Sequence, residues 1–130
     1  MRKKSYIIPG LLLSFALSCS SDSNIIIKGF DQTAWQKDSL GCVGIRKAMV
    51  EMLQTNRKLL TGHSTMELKT LLGPPNIIHK IESVDVYTYF LEPGHQCYTK
   101  NWKEMGYTEC LQIVVYLEND KVITTDLVYP

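Results

Sequence analysis

The chain has no apolar run long enough to cross a bilayer. A spanning helix needs about 20 consecutive apolar residues, and the best candidate, Tyr6 to Leu17, is shorter and broken by Pro9-Gly10. It also lacks a charge of one sign. The 130 residues sum to +1, and three of the 14 Lys and Arg fall in the first four positions, with no acid before Asp22. The rest of the chain is slightly acidic, which removes any broad electrostatic claim on nucleic acid or anionic lipid. Catalytic signatures are missing too. There is no phosphate loop, dinucleotide fingerprint, H-E-x-x-H or nucleophile elbow. Neither C-x-x-C nor H-x-x-x-H occurs, and there is no internal repeat. Enzymes that announce themselves by local spacing are therefore disfavoured, and no cofactor is expected.

What is present begins with an address. Arg2, Lys3 and Lys4 precede the apolar stretch, and the small residue Ser18 precedes Cys19, the pattern of an export signal. Ala16-Leu17-Ser18-Cys19 resembles a bacterial lipobox, with Ala16 where leucine is usual. The resemblance implies cleavage before Cys19, a diacylglycerol on its thiol and an acyl chain such as palmitate on its new amino group. Several acyl chains anchor stably where one is marginal. Ser20, rather than an acid, follows the cysteine, which implies sorting to the outer membrane with the domain facing the periplasm. The expected organisation is a signal over 1–18, a lipidated cysteine and flexible tether over 19–29, and one domain over 30–130. "SSDSN" is the polar tether. "NIIIKGF" is either a short edge strand or the point where the chain docks.

Phe30 and Trp35 read as two packing anchors. Ile45, Met49 and Leu53 recur every four residues, a helical stripe from which Arg46, Lys47, Glu51 and Arg57 mostly depart. Asp38 or Ser39 is placed to cap its start, and Asn56-Arg57-Lys58 suits its end. A second helix has sharper boundaries. Ser64 and Glu67 form an S-x-x-E capping box, Leu68, Leu71 and Leu72 form its apolar face, and Gly73-Pro74-Pro75 ends it after about two turns.

From residue 76 the period becomes two. "NIIHKIE" and "VDVYTYFLE" predict strands joined near Ser83, with Tyr87, Tyr89 and Leu91 on one face and Val86, Thr88 and Phe90 on the other. "PGHQCYTKNWKEMGYTE" reads as a long loop. "CLQIVVYL" and "KVITTDLVY" predict a hairpin about Glu118-Asn119-Asp120. Helix, helix, then strands is an α+β class: two N-terminal helices packed on one face of a three- to four-stranded antiparallel sheet.

The stretch GHSTMELKTLLGPP, Gly62 to Pro75, resembles the G-x-[ST]-x-x-[EQ]-[VL]-x-x-L-L-G-x-P signature of the SmpA/OmlA (BamE-like) lipoproteins. That resemblance, over about residues 43–128, implies the same two-layer sandwich and a role near outer-membrane assembly. The pattern F-D-x-x-x-W-x-x-D-x-x-G-C-x-x-x-R, Phe30 to Arg46, with the later P-G-x-Q-C, instead resembles a less characterised group of short lipoproteins with the same helical motif.

Cys42, Cys97 and Cys110 remain, enough for one disulfide and one thiol in an oxidising compartment. Three pairings are possible. Cys97–Cys110 would staple the loop between them. The resemblance to the second lipoprotein group implies Cys42–Cys97, and a bridge of that separation is worth about 3–4 kcal/mol in the chain-entropy account. A metal site from His95 and Cys97, completed by Cys42 and His63, is the alternative. Tyr98, Trp102 and Tyr107 in the long loop are candidate partner-binding residues. The expected function is non-enzymatic: an envelope protein-interaction or scaffold domain. An inhibitor of an envelope enzyme, or a lipoprotein binding a small ligand or metal, is the alternative.

Overall fold

The computed structural model describes Gly10, residues 24–105 and residues 108–130; Cys19 and Tyr107 lie outside the described residues. The chain enters through Ile25 and Ile27, both buried, with Ile26 exposed between them. This segment docks on the core and forms no strand.

Helix α1, Gln32–Lys37, follows, with the Asp31 carboxylate accepting from Ala34 N at its start. The region was expected to supply only two anchors, Phe30 and Trp35. They are there, ring centroids 5.4 Å apart, but on either side of a capped helix start. A six-residue helix carries too few apolar repeats to show a period. Helix α2, Ile45–Thr55, begins at Gly44, whose φ is 91°. Its N-cap is therefore Gly44 and neither Asp38 nor Ser39, although the Asp38 carboxylate reaches the first turn from outside the helix. The two carboxylate oxygens accept from Val43 N and Arg46 N at 2.9 and 3.0 Å. Asn56 closes the helix, and a 3₁₀ turn spans Arg57–Leu59.

Helix α3, Thr65–Leu72, has the predicted ends. Ser64 accepts from Glu67 N at 3.2 Å, and Gly73 takes φ 76°. Only half of the capping box forms, because the Glu67 carboxylate pairs with the His63 ring. The segment before α3 is sutured to the sheet edge by Gly62 N to Val122 O at 2.8 Å and Val122 N to His63 O at 2.9 Å.

Strands β1 (Ile77–Ile81), β2 (Val84–Phe90), β3 (Gln112–Glu118) and β4 (Lys121–Val128) form an antiparallel meander in the order 1-2-3-4. The turns are short. Glu82 has φ 55°, and Asn119 and Asp120 have φ 51° and 62°, the left-handed pair that a two-residue hairpin loop requires. β3 and β4 pair through a register shift at Tyr116/Leu117. One buried cluster joins Trp35, Leu53, Leu60, Leu68, Leu71 and Leu72 to Tyr87, Tyr89 and Leu91 and to Ile113, Val115 and Leu117. The other face of β2 is buried as well: Val86, Thr88 and Phe90 lose nearly all exposure, and Trp102 meets the Phe90 ring edge-on at 5.2 Å.

At Gly41 the chain passes close against the end of β2. Its φ is 71°, and a Cβ there would lie 2.7 Å from Phe90 O. Gly41→Ala combines a left-handed strain with a backbone clash and is expected to cost about 2–4 kcal/mol, read as a lowered urea midpoint with an unchanged slope.

Candidate functional site

The pattern that runs from Phe30 to Arg46 converges in space. Arg46 was expected to lie mostly off the apolar stripe; instead it is 1% exposed. The reason is that its fork finds acceptors from three distant segments. Nε donates to Trp35 O at 3.1 Å, and one terminal nitrogen donates to Asn76 Oδ1 at 3.1 Å and Phe90 O at 3.3 Å. Its guanidinium carbon sits 4.9 Å from the Trp35 ring centroid and 5.9 Å from that of Tyr89. Each ring is held in turn: Trp35 Nε1 donates to Leu72 O and Tyr89 Oη to Gly73 O, both at 3.0 Å. Asn76 completes the knot, donating to Ser39 O at 2.7 Å and accepting from Phe90 N at 2.9 Å.

Burial lowers the Arg46 pKa and the nearby Asp38 carboxylate opposes that change; an arginine so placed keeps its charge. Burial raises the Tyr89 phenol. These groups are locked in internal hydrogen bonds, so the centre is a structural knot: it binds the helices, the Asn76 turn and the end of β2 to one another.

A second assembly hangs from this knot. Cys42 and Cys97 form a disulfide with Cα atoms 5.8 Å apart. This is the pairing implied by the resemblance, and it leaves Cys110 buried as a free thiol. The bridge holds a one-turn helix, α4 (His95–Tyr98), which sequence periodicity left inside the long loop. Gln96 on that turn is buried, donating to Leu40 O at 3.1 Å and Glu92 O at 2.9 Å, and accepting from the Thr108 hydroxyl at 2.5 Å. Burial pushes the Cys110 thiol up, so it is protonated and a poor nucleophile at neutral pH.

The predicted site residues divide accordingly. Tyr98 is 83% exposed. Trp102 is half-buried on Phe90, with Lys103 Nζ 5.5 Å from its ring centroid. Tyr107 lies outside the described residues. Of the four residues of the metal alternative, Cys42 and Cys97 are joined to each other and His63 pairs with Glu67. Among the described residues, no three His, Cys, Asp or Glu side chains are grouped to hold a metal ion. Nor is any helix among them long and apolar enough to cross a membrane.

Glu92 ties the rim together. Its carboxylate accepts from Lys47 Nζ at 2.8 Å and from Leu111 N at 3.0 Å, and these bonds hold its pKa below the usual range. A carboxylate with a depressed folded-state pKa stabilises above its unfolded pKa and loses that contribution as pH falls through the folded one. Glu92→Gln is therefore expected to destabilise by about 1 kcal/mol or less at neutral pH. The difference from wild type should vanish in urea titrations run below the carboxylate range. Sequence reasoning missed Arg46, Asn76 and Gln96 as organising residues. The signal for Arg46 was its spacing from Trp35 and Asp38, and that for Gln96 was its place in the P-G-x-Q-C pattern; Asn76 had none. No protein-family model, curated protein or solved structure matches this chain.

Proposed function

We propose that the protein is a non-enzymatic, lipid-anchored interaction module of the bacterial envelope. In this reading residues 1–18 direct export, Cys19 carries the lipid, and the polar string to Asn24 links the anchor to the domain at the periplasmic face of the outer membrane. The domain is a two-layer sandwich with α2 and α3 on one face of the sheet, related to the SmpA/OmlA lipoproteins. One observation carries the assignment of function. Tyr98 stands 83% exposed on a helical turn that a disulfide and the buried Gln96 hold fixed. A tyrosine on a turn that is already fixed needs little backbone ordering when a partner covers it, and tyrosine is enriched among interface hot spots. Tethering adds effective concentration at the membrane. The groups with perturbed ionisation support the non-enzymatic reading, because Arg46, Tyr89 and Cys110 are taken up by packing and internal hydrogen bonds and Glu92 by Lys47 and the Leu111 amide.

Chemical cross-linking in intact cells, followed by extraction from the outer-membrane fraction and mass spectrometry of the neighbours, tests this. The expected result is a discrete partner set, including outer-membrane barrel-assembly components, that is lost in Cys19→Ala. Recovery of abundant bystanders alone, or an unchanged set in Cys19→Ala, removes the proposal.

A further inference from the structure

The segment that leads into the domain is pinned on both sides of one outward residue. Ile25 and Ile27 are buried at 8% and 5% exposure, and Ile26 between them is 80% exposed. Ile26 and Asn24 line a depression with Gln32, Glu67 and Thr70. Thr70 also lines the depression beyond it, with Met66 and Lys69. Met66 is 73% exposed and lies one turn before Thr70, whose hydroxyl donates to Met66 O at 2.9 Å. Ile26 and Met66 thus border two depressions that meet at Thr70 on the outer side of α3. Of the acids along them, Glu67 is paired with His63, and Asp120 lines the depression that holds Met66.

We infer that this Ile26–Met66 surface rests on the bilayer that holds the Cys19 lipid, with both side chains at the boundary between headgroups and acyl chains. The inference rests on the lipid-anchor reading and adds an orientation to it. The covalent chain supplies the argument. Four residues, 20–23, separate Cys19 from Asn24. The seven steps from Cys19 to Ile26 span at most about 25 Å, whatever path they take. Burial of Ile25 and Ile27 keeps residue 26 from turning inward, so the lipid surface is the first one that Ile26 meets, at high effective concentration. Single exposed apolar residues scattered over a surface need no explanation; this pair stands where the tether enters the domain. Side-chain chemistry points the same way. Isoleucine and methionine have no polar tip to direct a protein contact, and interface hot spots favour tryptophan, tyrosine and arginine instead. Aliphatic side chains on a membrane-facing surface bury about 5–10 Å into the headgroup and acyl boundary. Lys28 is exposed two residues past Ile26, and its stem is long enough to follow while its charge stays among the phosphates. Tyr98 lines neither depression, so contact with the bilayer does not use it.

The test uses the protein as cells process it, with its intact mass reporting the modification of Cys19. It is reconstituted in neutral phosphatidylcholine vesicles whose acyl chains carry bromine near the headgroup. A genetically encoded fluorescent amino acid stands at position 26 or 66, or at Ile81 on β1, 54% exposed, as the control. Positions 26 and 66 should be quenched about threefold more than position 81. Ile26→Glu should bring quenching at position 66 down to the control level, while the protein stays on the vesicle through Cys19 and keeps its urea midpoint in detergent. Lipidated protein with equal quenching at 26, 66 and 81 overturns the inference and leaves the anchor standing. An intact mass without lipid removes both. Energy transfer between labels at position 26 that rises with protein density, with quenching at the control level, assigns the surface to a second copy. A protein adduct from a photo-cross-linking residue at position 26 in cells assigns it to a partner protein. Either result overturns the inference.

Discussion

Arg46→Leu is expected to lower stability by about 3–5 kcal/mol, because it removes the buried donor to Trp35 O and Phe90 O and leaves Asn76 Oδ1 with Phe90 N alone. Trp35 O, Asn76 Oδ1 and Phe90 O all take hydrogen bonds from this one side chain, and a leucine satisfies none of them. The two aromatic faces against the guanidinium lose their cation as well, a further small contribution. For a domain with total stability of roughly 5–15 kcal/mol, this is a large fraction. Arg46→Lys separates charge from shape: it keeps the cation but not the planar fork, so its loss should fall between wild type and Arg46→Leu. Urea denaturation followed by tryptophan fluorescence measures both. If Arg46→Leu unfolds at the wild-type midpoint, the knot is not holding the helices to the sheet.

Removal of the disulfide should have the other large effect. The chain-entropy account gives about 4 kcal/mol for a bridge closing a loop of 55 residues. Cys42→Ser with Cys97→Ser, and wild type under reductant, should lose similar amounts. Cys110→Ala should keep the bridge and lose far less, since its thiol is bonded to no other cysteine. The loss should also be local: α4 hangs on Cys97, so amides of residues 95–102 should exchange faster than those of β2 and β3 even under native conditions. Equal exchange in the bridged and bridgeless proteins would mean that Gln96 alone positions the turn that bears Tyr98.

Features settled by neighbouring residues were legible in the sequence. Ser64, Glu67, Gly73 and the paired prolines all lie within one short segment, and α3 has the ends they dictate. Asn119-Asp120 marked its hairpin for the same reason. Features settled by distant residues were not. Arg46 looks like a solvated helix charge until residues 35, 76 and 90 are brought to it by the fold. Thr88 and Phe90 read as the second face of a strand, and nothing local says that Trp102 will cover Phe90. α1 escaped because six residues show no period, although Asp31 three positions before Ala34 was a usable cap signal. Among the candidate partner residues, sequence did not separate Tyr98 from Trp102. The first is displayed and the second is partly spent on packing.

The central claim is that a lipid-tethered domain presents Tyr98 to an envelope partner. The most direct measurement places a photo-cross-linking amino acid at position 98, and at exposed Lys58 on the 3₁₀ turn as a control, in cells making either Cys19 or Cys19→Ala protein. The account predicts one discrete adduct from position 98, none from position 58, and loss of the adduct without the cysteine. No adduct from position 98, or the same adduct whether or not Cys19 is present, would contradict it.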